Sequence, residues 1–249
     1  MSITRNFGIP HVGRAARAVM LSMAAGGLVA GMSVQAAERP VGVSQNLYEE
    51  GALERYLAEA EKGDIFSQYV LGHMYSTGKA VEQDYEQGLR WYRAAAEAGY
   101  APSQLALGSM YYAGQGVEAD AAEAARWFEK AAERGYARAQ ANLAAVYLAG
   151  EGVPTDHDKA LHWYREAVLG GHKGSRYYLA MMYARGMAMD EPDYVAAYAL
   201  LDPLVKEGDE RSAELLASFE DDMSRTELAE AREWIKGPQT RERMVAALK

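Results

Sequence analysis

Apolar residues along this chain recur three and four positions apart, the spacing that puts side chains on one face of an α-helix. Gln68, Leu71, Gly72 and Tyr75 stand at i, i+3, i+4 and i+7, and Leu53, Tyr56, Leu57 and Ala60 form an earlier stripe. Over 121–134 the face holding Trp127, Ala131 and Ala132 is apolar and the rest is charged. Glycine interrupts this rhythm at regular places. Gly114 follows the helical stretch 103–113, where a left-handed C-terminal cap belongs. Asp120 then stands where an aspartate accepts hydrogen bonds from the first free N–H groups of a following helix. Alanine is plentiful and β-branched runs are scarce, so the expectation is all-helical.

The pattern is periodic. Tyr75, Tyr111, Tyr147 and Tyr183 follow one another at 36 residues, as do Gly78, Gly114, Gly150 and Gly186, and Trp91, Trp127 and Trp163. Such a period marks stacked helical units. Four units are expected, at 63–98, 99–134, 135–170 and 171–208, each holding two helices with an aspartate (Asp84, Asp120, Asp156, Asp193) opening the second. A small residue, Gly72, Gly108, Ala144 or Ala180, lets the paired helix approach closely, while Tyr and Trp supply buried area. The fourth unit has one extra residue around Asp190-Glu191-Pro192, Leu200 in the Trp column, and Pro203 where it predicts a kink or an early end. Residues 47–62 read as a half-unit, and 209–249 as capping helices and tail, with Ser224 and Glu227 spaced as a capping box.

Leu107-Gly108, Tyr111, Gly114, Gly116-Val117, Asp120, Ala124, Trp127, Lys130-Ala131-Ala132 and Gly135 together resemble the Sel1-like repeat, a relative of the tetratricopeptide repeat. The resemblance implies a right-handed α-α superhelical solenoid over about 63–208. It also implies a non-enzymatic scaffold that binds a protein or peptide, with relatives acting in exported signalling, envelope assembly and polysaccharide export. Two further classes stay open. One is the β-lactam-binding or hydrolysing type of cysteine-rich secreted relatives, whose cysteines this chain lacks; the other is a structural spacer.

The first 36 residues alter the picture of where the chain works. Arg5, Arg14 and Arg17 precede an apolar stretch at 18–34, and Val34-Gln35-Ala36 offers a cleavage site, the layout of a secretory signal peptide. Cleavage after Ala36 would leave a periplasmic or secreted protein opening on a polar linker at 37–46; an uncleaved membrane anchor is the alternative, for which the stretch is short. Loss of the leader removes three Arg and no acid, taking the net charge from −9 to −12. Such acidity argues against nucleic acid and anionic membrane surfaces as partners. With Cys 0 there is neither a disulfide nor a lipid-bearing cysteine, so packing alone must hold the fold.

Candidate chemistry is sparse. Ser76-Thr77-Gly78-Lys79 spells S-x-x-K without the S-D-N and K-T-G partners of penicillin-recognising enzymes, and His157, His162 and Glu166 lack the spacing of a zinc site. Neither a metal nor a cofactor is expected. The individuality of the chain lies instead in the first-helix columns that vary between units, spaced i, i+1, i+4, i+7 and i+8 beside the packing face. With first helices lining the concave side, that stripe forms a groove holding Tyr69, His73, Tyr112, Asn142, Tyr177, Tyr178, Met181 and Arg185. Exposed Tyr and Arg are the residue types that dominate binding hot spots. Packing against the next unit is the competing role for each tyrosine.

Overall fold

The computed structural model describes residues 47–236; the expected leader, the 37–46 linker and the tail from 237 lie outside the described residues. The described chain holds helices α1 (Ala52–Glu61), α2 (Ile65–Thr77), α3 (Tyr85–Glu97), α4 (Ala101–Ala113), α5 (Ala121–Ala132) and α6 (Ala137–Ala149). They are followed by α7 (His157–Leu169), α8 (Ser175–Ala184), α9 (Tyr194–Lys206), α10 (Glu210–Glu220) and α11 (Arg225–Lys236). Consecutive helices pack: α2 with α3, α4 with α5, α6 with α7 and α8 with α9 form the four units, and each unit rests on the next. The result is a right-handed α-solenoid, with α1 closing one end and α10 and α11 resting on α9 at the other.

Local chemistry explains the boundaries. Helices α2, α3, α5, α7, α9 and α10 each start behind an aspartate, Asp64, Asp84, Asp120, Asp156, Asp193 or Asp209, whose carboxylate accepts from the N–H three residues on. Helices α2, α4 and α6 stop at Gly78, Gly114 and Gly150, with φ of 69°, 67° and 72°. The turn between the helices of a unit is closed from within. The N–H groups of Asp84, Asp120, Asp156 and Asp193 donate to the carbonyls of Tyr75, Tyr111, Tyr147 and Tyr183 at 2.9, 2.9, 3.0 and 3.0 Å. At the C-terminal end the capping box forms: Ser224 N–H donates to Glu227 at 2.8 Å, and Glu227 N–H to Ser224 Oγ at 3.2 Å.

The fourth unit departs in two ways. Helix α8 ends at Ala184, with Arg185 as its cap and Gly186 beyond it at φ 61°. Helix α9 does not end early at Pro203 but runs to Lys206. Pro203 falls in the last turn, half-buried at the helix edge, so its missing N–H removes a single bond there.

The core repeats with the sequence. Leu71, Leu107, Leu143 and Leu179, with Met74, Met110, Val146 and Met182, are fully buried. Opposite them the second helix presents Tyr92, Phe128 and Tyr164, one position after each Trp and more deeply enclosed than the Trp itself. These rings lie on the small-residue column. A Cβ at Gly72 would come within 2.5 Å of Tyr92 Cδ1, and one at Gly108 within 2.6 Å of Phe128 Cε1. Unit meets unit through a glutamine: the side-chain amides of Gln68, Gln104 and Gln140 donate to the carbonyls of Ala60, Ala96 and Ala132 on the preceding unit, at 3.2, 3.1 and 3.1 Å. Arg93 and Arg165 reach forward to the hydroxyls of Tyr111 and Tyr183 in the next unit, at 2.6 and 2.9 Å.

Candidate functional site

Side chains from three successive units converge at Tyr69. Its ring meets that of Tyr100 edge-on at 5.3 Å, and its hydroxyl is within electrostatic reach of Tyr136 and Arg138, two units further along the chain. Residues that far apart in a stack of units approach one another only on the inside of a curve. Helices α2, α4 and α6 therefore face the inner, concave side.

Of the eight groove residues expected from sequence, two are corrected by burial. Tyr69 is 2% exposed and Met181 1%. Tyr69 lies among Phe66, Tyr92 and Tyr100, and burial pushes its hydroxyl pKa well above the usual tyrosine range, so it packs the fold and offers no surface to a partner. Met181 fills the core between α8 and its neighbours. Both columns vary between units because each unit meets a different neighbour, and that, rather than exposure, accounts for the variation.

The other six, His73, Tyr112, Asn142, Tyr177, Tyr178 and Arg185, are half-buried. His73 Nδ1 is 2.8 Å from Tyr48 Oη, with the two rings stacked at 5.9 Å and Lys79 over the Tyr48 face. Burial, with the Lys79 charge adding to it, pushes His73 down to about 4. Tyr112 donates its hydroxyl to Glu151 of the third unit; burial and then this contact raise its pKa. Tyr178 stacks on Tyr164 at 5.5 Å and Tyr177 stands edge-on to it at 5.3 Å. Arg211 of α10 lies over the Tyr177 ring at 4.6 Å, and the nearness of the Tyr178 and Tyr177 hydroxyls raises its pKa. The stripe thus divides into a histidine end closed by Tyr48 and a tyrosine end closed by Arg211.

Sequence reasoning missed Tyr48, Tyr100, Tyr136, Arg138 and Arg211. Tyr100 and Tyr136 carried a signal, each following a unit-closing glycine at the common period. Arg138 and Arg211 share a column whose other members, Phe66, Pro102 and Gly174, have nothing in common with them, and it carried little.

Two of the hollows along the described residues bear on the site. One, of about 460 Å³, is bordered by Asp158, His162, Arg165 and Glu166 beside Ala188 and Met189. The other, of about 480 Å³, lies between the segments 135–138 and 170–174 at the leading ends of α6 and α8. Ser76 of the S-x-x-K stretch is enclosed, its hydroxyl 3.3 Å from the His73 carbonyl and 3.5 Å from Tyr92 Oη, so no substrate reaches it. Among the described residues no cluster of three or more His, Asp or Glu is placed to hold a metal ion, and no described helix is long and apolar enough to cross a membrane.

The Sel1 repeat matches this chain four times, at residues 65–100, 101–136, 137–172 and 174–209. The chain belongs to the Sel1-repeat family. These frames begin two or three residues after the boundaries read from the glycine period, for the same helix pairs. Among solved structures, a Sel1 repeat protein from Oxalobacter formigenes is 28% identical with a TM-score of 0.64, over 70% of this chain and 73% of that one. The protein c5321, described as a protective antigen present in uropathogenic Escherichia coli strains displaying an SLR fold, is 27% identical with a TM-score of 0.67. That match covers 93% of this Sel1-repeat chain but 47% of c5321, so the chain spans about half the length of that relative. No curated protein matches the sequence.

Proposed function

We propose that this Sel1-repeat protein is a non-enzymatic adaptor, exported to the periplasm, that holds a protein or peptide partner on the inner face of its solenoid. Sel1-repeat proteins serve in general as protein-interaction scaffolds, and their fold is typically non-catalytic. The observation that carries the reading is the half-buried row of Tyr112, Asn142, Tyr177, Tyr178 and Arg185 along first helices that lie toward the inside of the stack. Rigid aromatic side chains held in place by Glu151 and Arg211 supply contact area at low entropic cost, as binding hot spots do. Export rests on the leader alone.

Affinity capture from periplasm with wild type beside a Tyr112→Ala, Tyr177→Ala, Arg185→Ala variant tests the reading. Loss of the same partner by a variant that keeps its helical circular dichroism supports it, and equal recovery overturns it. Fractionation of cells making a C-terminally tagged chain should find it in the periplasm, shortened at the N-terminus; retention in the cytoplasm overturns the exported part.

A further inference from the structure

The charge of the molecule is unevenly divided. The chain has 35 acidic residues, yet α2, α4, α6 and α8, the first helices of the four units, contain not one Asp or Glu between them. The acids lie on the second helices, the turns and the ends. An acidic protein has thus kept its inner helices clear of negative charge.

The hollow of about 480 Å³ at the leading ends of α6 and α8 is where that asymmetry has a focus. It is lined by Arg138, His172 and Lys173, by Tyr136 and Ala137, and by glycines, with no acidic residue in its wall. Lys173 is engaged with Glu207 at 3.2 Å, and His172 with Ser175 at 2.8 Å. Arg138 differs from both: its Nη1 is buried and has no hydrogen-bond partner. A buried guanidinium N–H without an acceptor is costly, and a carboxylate is the acceptor its geometry best suits. The rim is open where it matters, since a Cβ at Gly135 or Gly171 would meet nothing within 4 Å. The N-caps of α6 and α8, Tyr136 and Gly174, make no side-chain cap, which leaves first-turn N–H groups beside the hollow. The volume falls in the range of ligand pockets and exceeds what one carboxylate fills, leaving room for the chain that bears it.

We propose that this hollow is a subsite for a carboxylate of an acidic peptide segment, with Arg138 as the principal contact. The proposal deepens the adaptor reading and rests on it: the partner lying on the inner face carries Asp or Glu where it crosses the start of α6. Its bulk charge works against non-specific attraction, because a polyanion is repelled by a protein of net charge −9, so binding of one reports a local site.

The test is fluorescence anisotropy at low ionic strength with a labelled hexaglutamate peptide and a hexaglutamine control, on wild type, Arg138→Gln and Arg138→Lys. Hexaglutamate should bind wild type, weaken with added salt, and lose about tenfold in affinity in Arg138→Gln, the loss expected for one charge-assisted hydrogen bond. Arg138→Lys should recover part of it. Equal binding of the two peptides, or wild-type affinity in an Arg138→Gln protein with unchanged melting temperature, overturns the subsite. Acetate or inorganic phosphate competing at the same carboxylate-equivalent concentration as hexaglutamate would overturn the peptide assignment in favour of a small anion. If Arg138→Gln binds hexaglutamate as wild type does while the Tyr112, Tyr177, Arg185 variant still loses its captured partner, the subsite fails and the adaptor reading stands.

Discussion

The ring of Tyr92 lies where the side chain of residue 72 would be: a Cβ on Gly72 would stand 2.5 Å from its Cδ1. In the first two units the small residue of the first helix is a seat for an aromatic ring of the second, Tyr92 on Gly72 and Phe128 on Gly108, and the inter-helix distance is set by that contact. Gly72→Ala must displace a fully buried ring. The expected cost is about 1–3 kcal/mol, that of overpacking, in urea denaturation. A variant as stable as wild type would show that the ring shifts freely.

Ring burial ranks the aromatic columns differently from recurrence. Phe128 is fully buried against Gly108, whereas Trp163 is half-exposed. Phe128→Ala should cost about 3–5 kcal/mol and Trp163→Ala clearly less, near 1–2 kcal/mol. Trp127, 7% exposed, belongs with Phe128. Thermal melts of the three variants check the order, and a larger loss from Trp163→Ala would reverse the assignment of the core.

His73 makes the N-terminal end of the stack pH-sensitive. An unfolded histidine titrates near 6.5, and the folded one is pushed down to about 4 by burial and Lys79. Between those values the unfolded chain binds a proton that the folded chain refuses, so stability is complete above about pH 6.5 and falls as pH drops toward 4. The size of the effect is about 2–3 kcal/mol. Urea denaturation at pH 7, 5.5 and 4 should show the wild-type advantage over His73→Gln shrinking with acidity. A pH-independent difference would place the histidine in contact with water.

The turn glycines divide into two kinds by what they touch. Gly116 and Gly152 have φ of 71° and 74°, and a Cβ on either would strike the backbone at the start of the preceding unit's second helix, 2.6 Å from Tyr85 C and 2.4 Å from Ala121 C. In the first unit the same column holds Ala80, at φ 65° and exposed. Ala80→Gly should relieve left-handed strain and stabilise the protein by about 0.5–1 kcal/mol, while Gly152→Ala should lose more than that through strain and clash together. Equal and opposite shifts in melting temperature would mean that the clash contributes nothing.

The units, the capping aspartates and the helix-ending glycines were legible in the sequence because each acts within a few residues of itself. Asp84 needs only Gln87, and the Gly78 turn needs only its own backbone. The groove was legible in part. Tyr69 and Met181 vary between units as partner-contacting residues do, but they vary because they fit different neighbours. Recognising that Tyr69 meets Tyr100 and feels Tyr136 requires the radius of the superhelix, which no periodicity states. Arg138 and Arg211 escaped for a different reason: their column also holds Phe66, Pro102 and Gly174, and a position that changes so widely looks like surface noise until an inner face is there to receive it.

The glutamine bond between units bears on the chain's history. Gln68, Gln104 and Gln140 each hold a carbonyl eight residues earlier, at Ala60, Ala96 and Ala132, so the three junctions from α1 to the third unit present the same donor to the same acceptor, whereas Arg176 takes the glutamine's place at the fourth. A segment cut out or copied in whole periods would meet its new neighbour with that bond already matched. The protein is therefore adjustable in length by duplication or loss of a unit, and the reach of its inner face can change without a new fold having to be found.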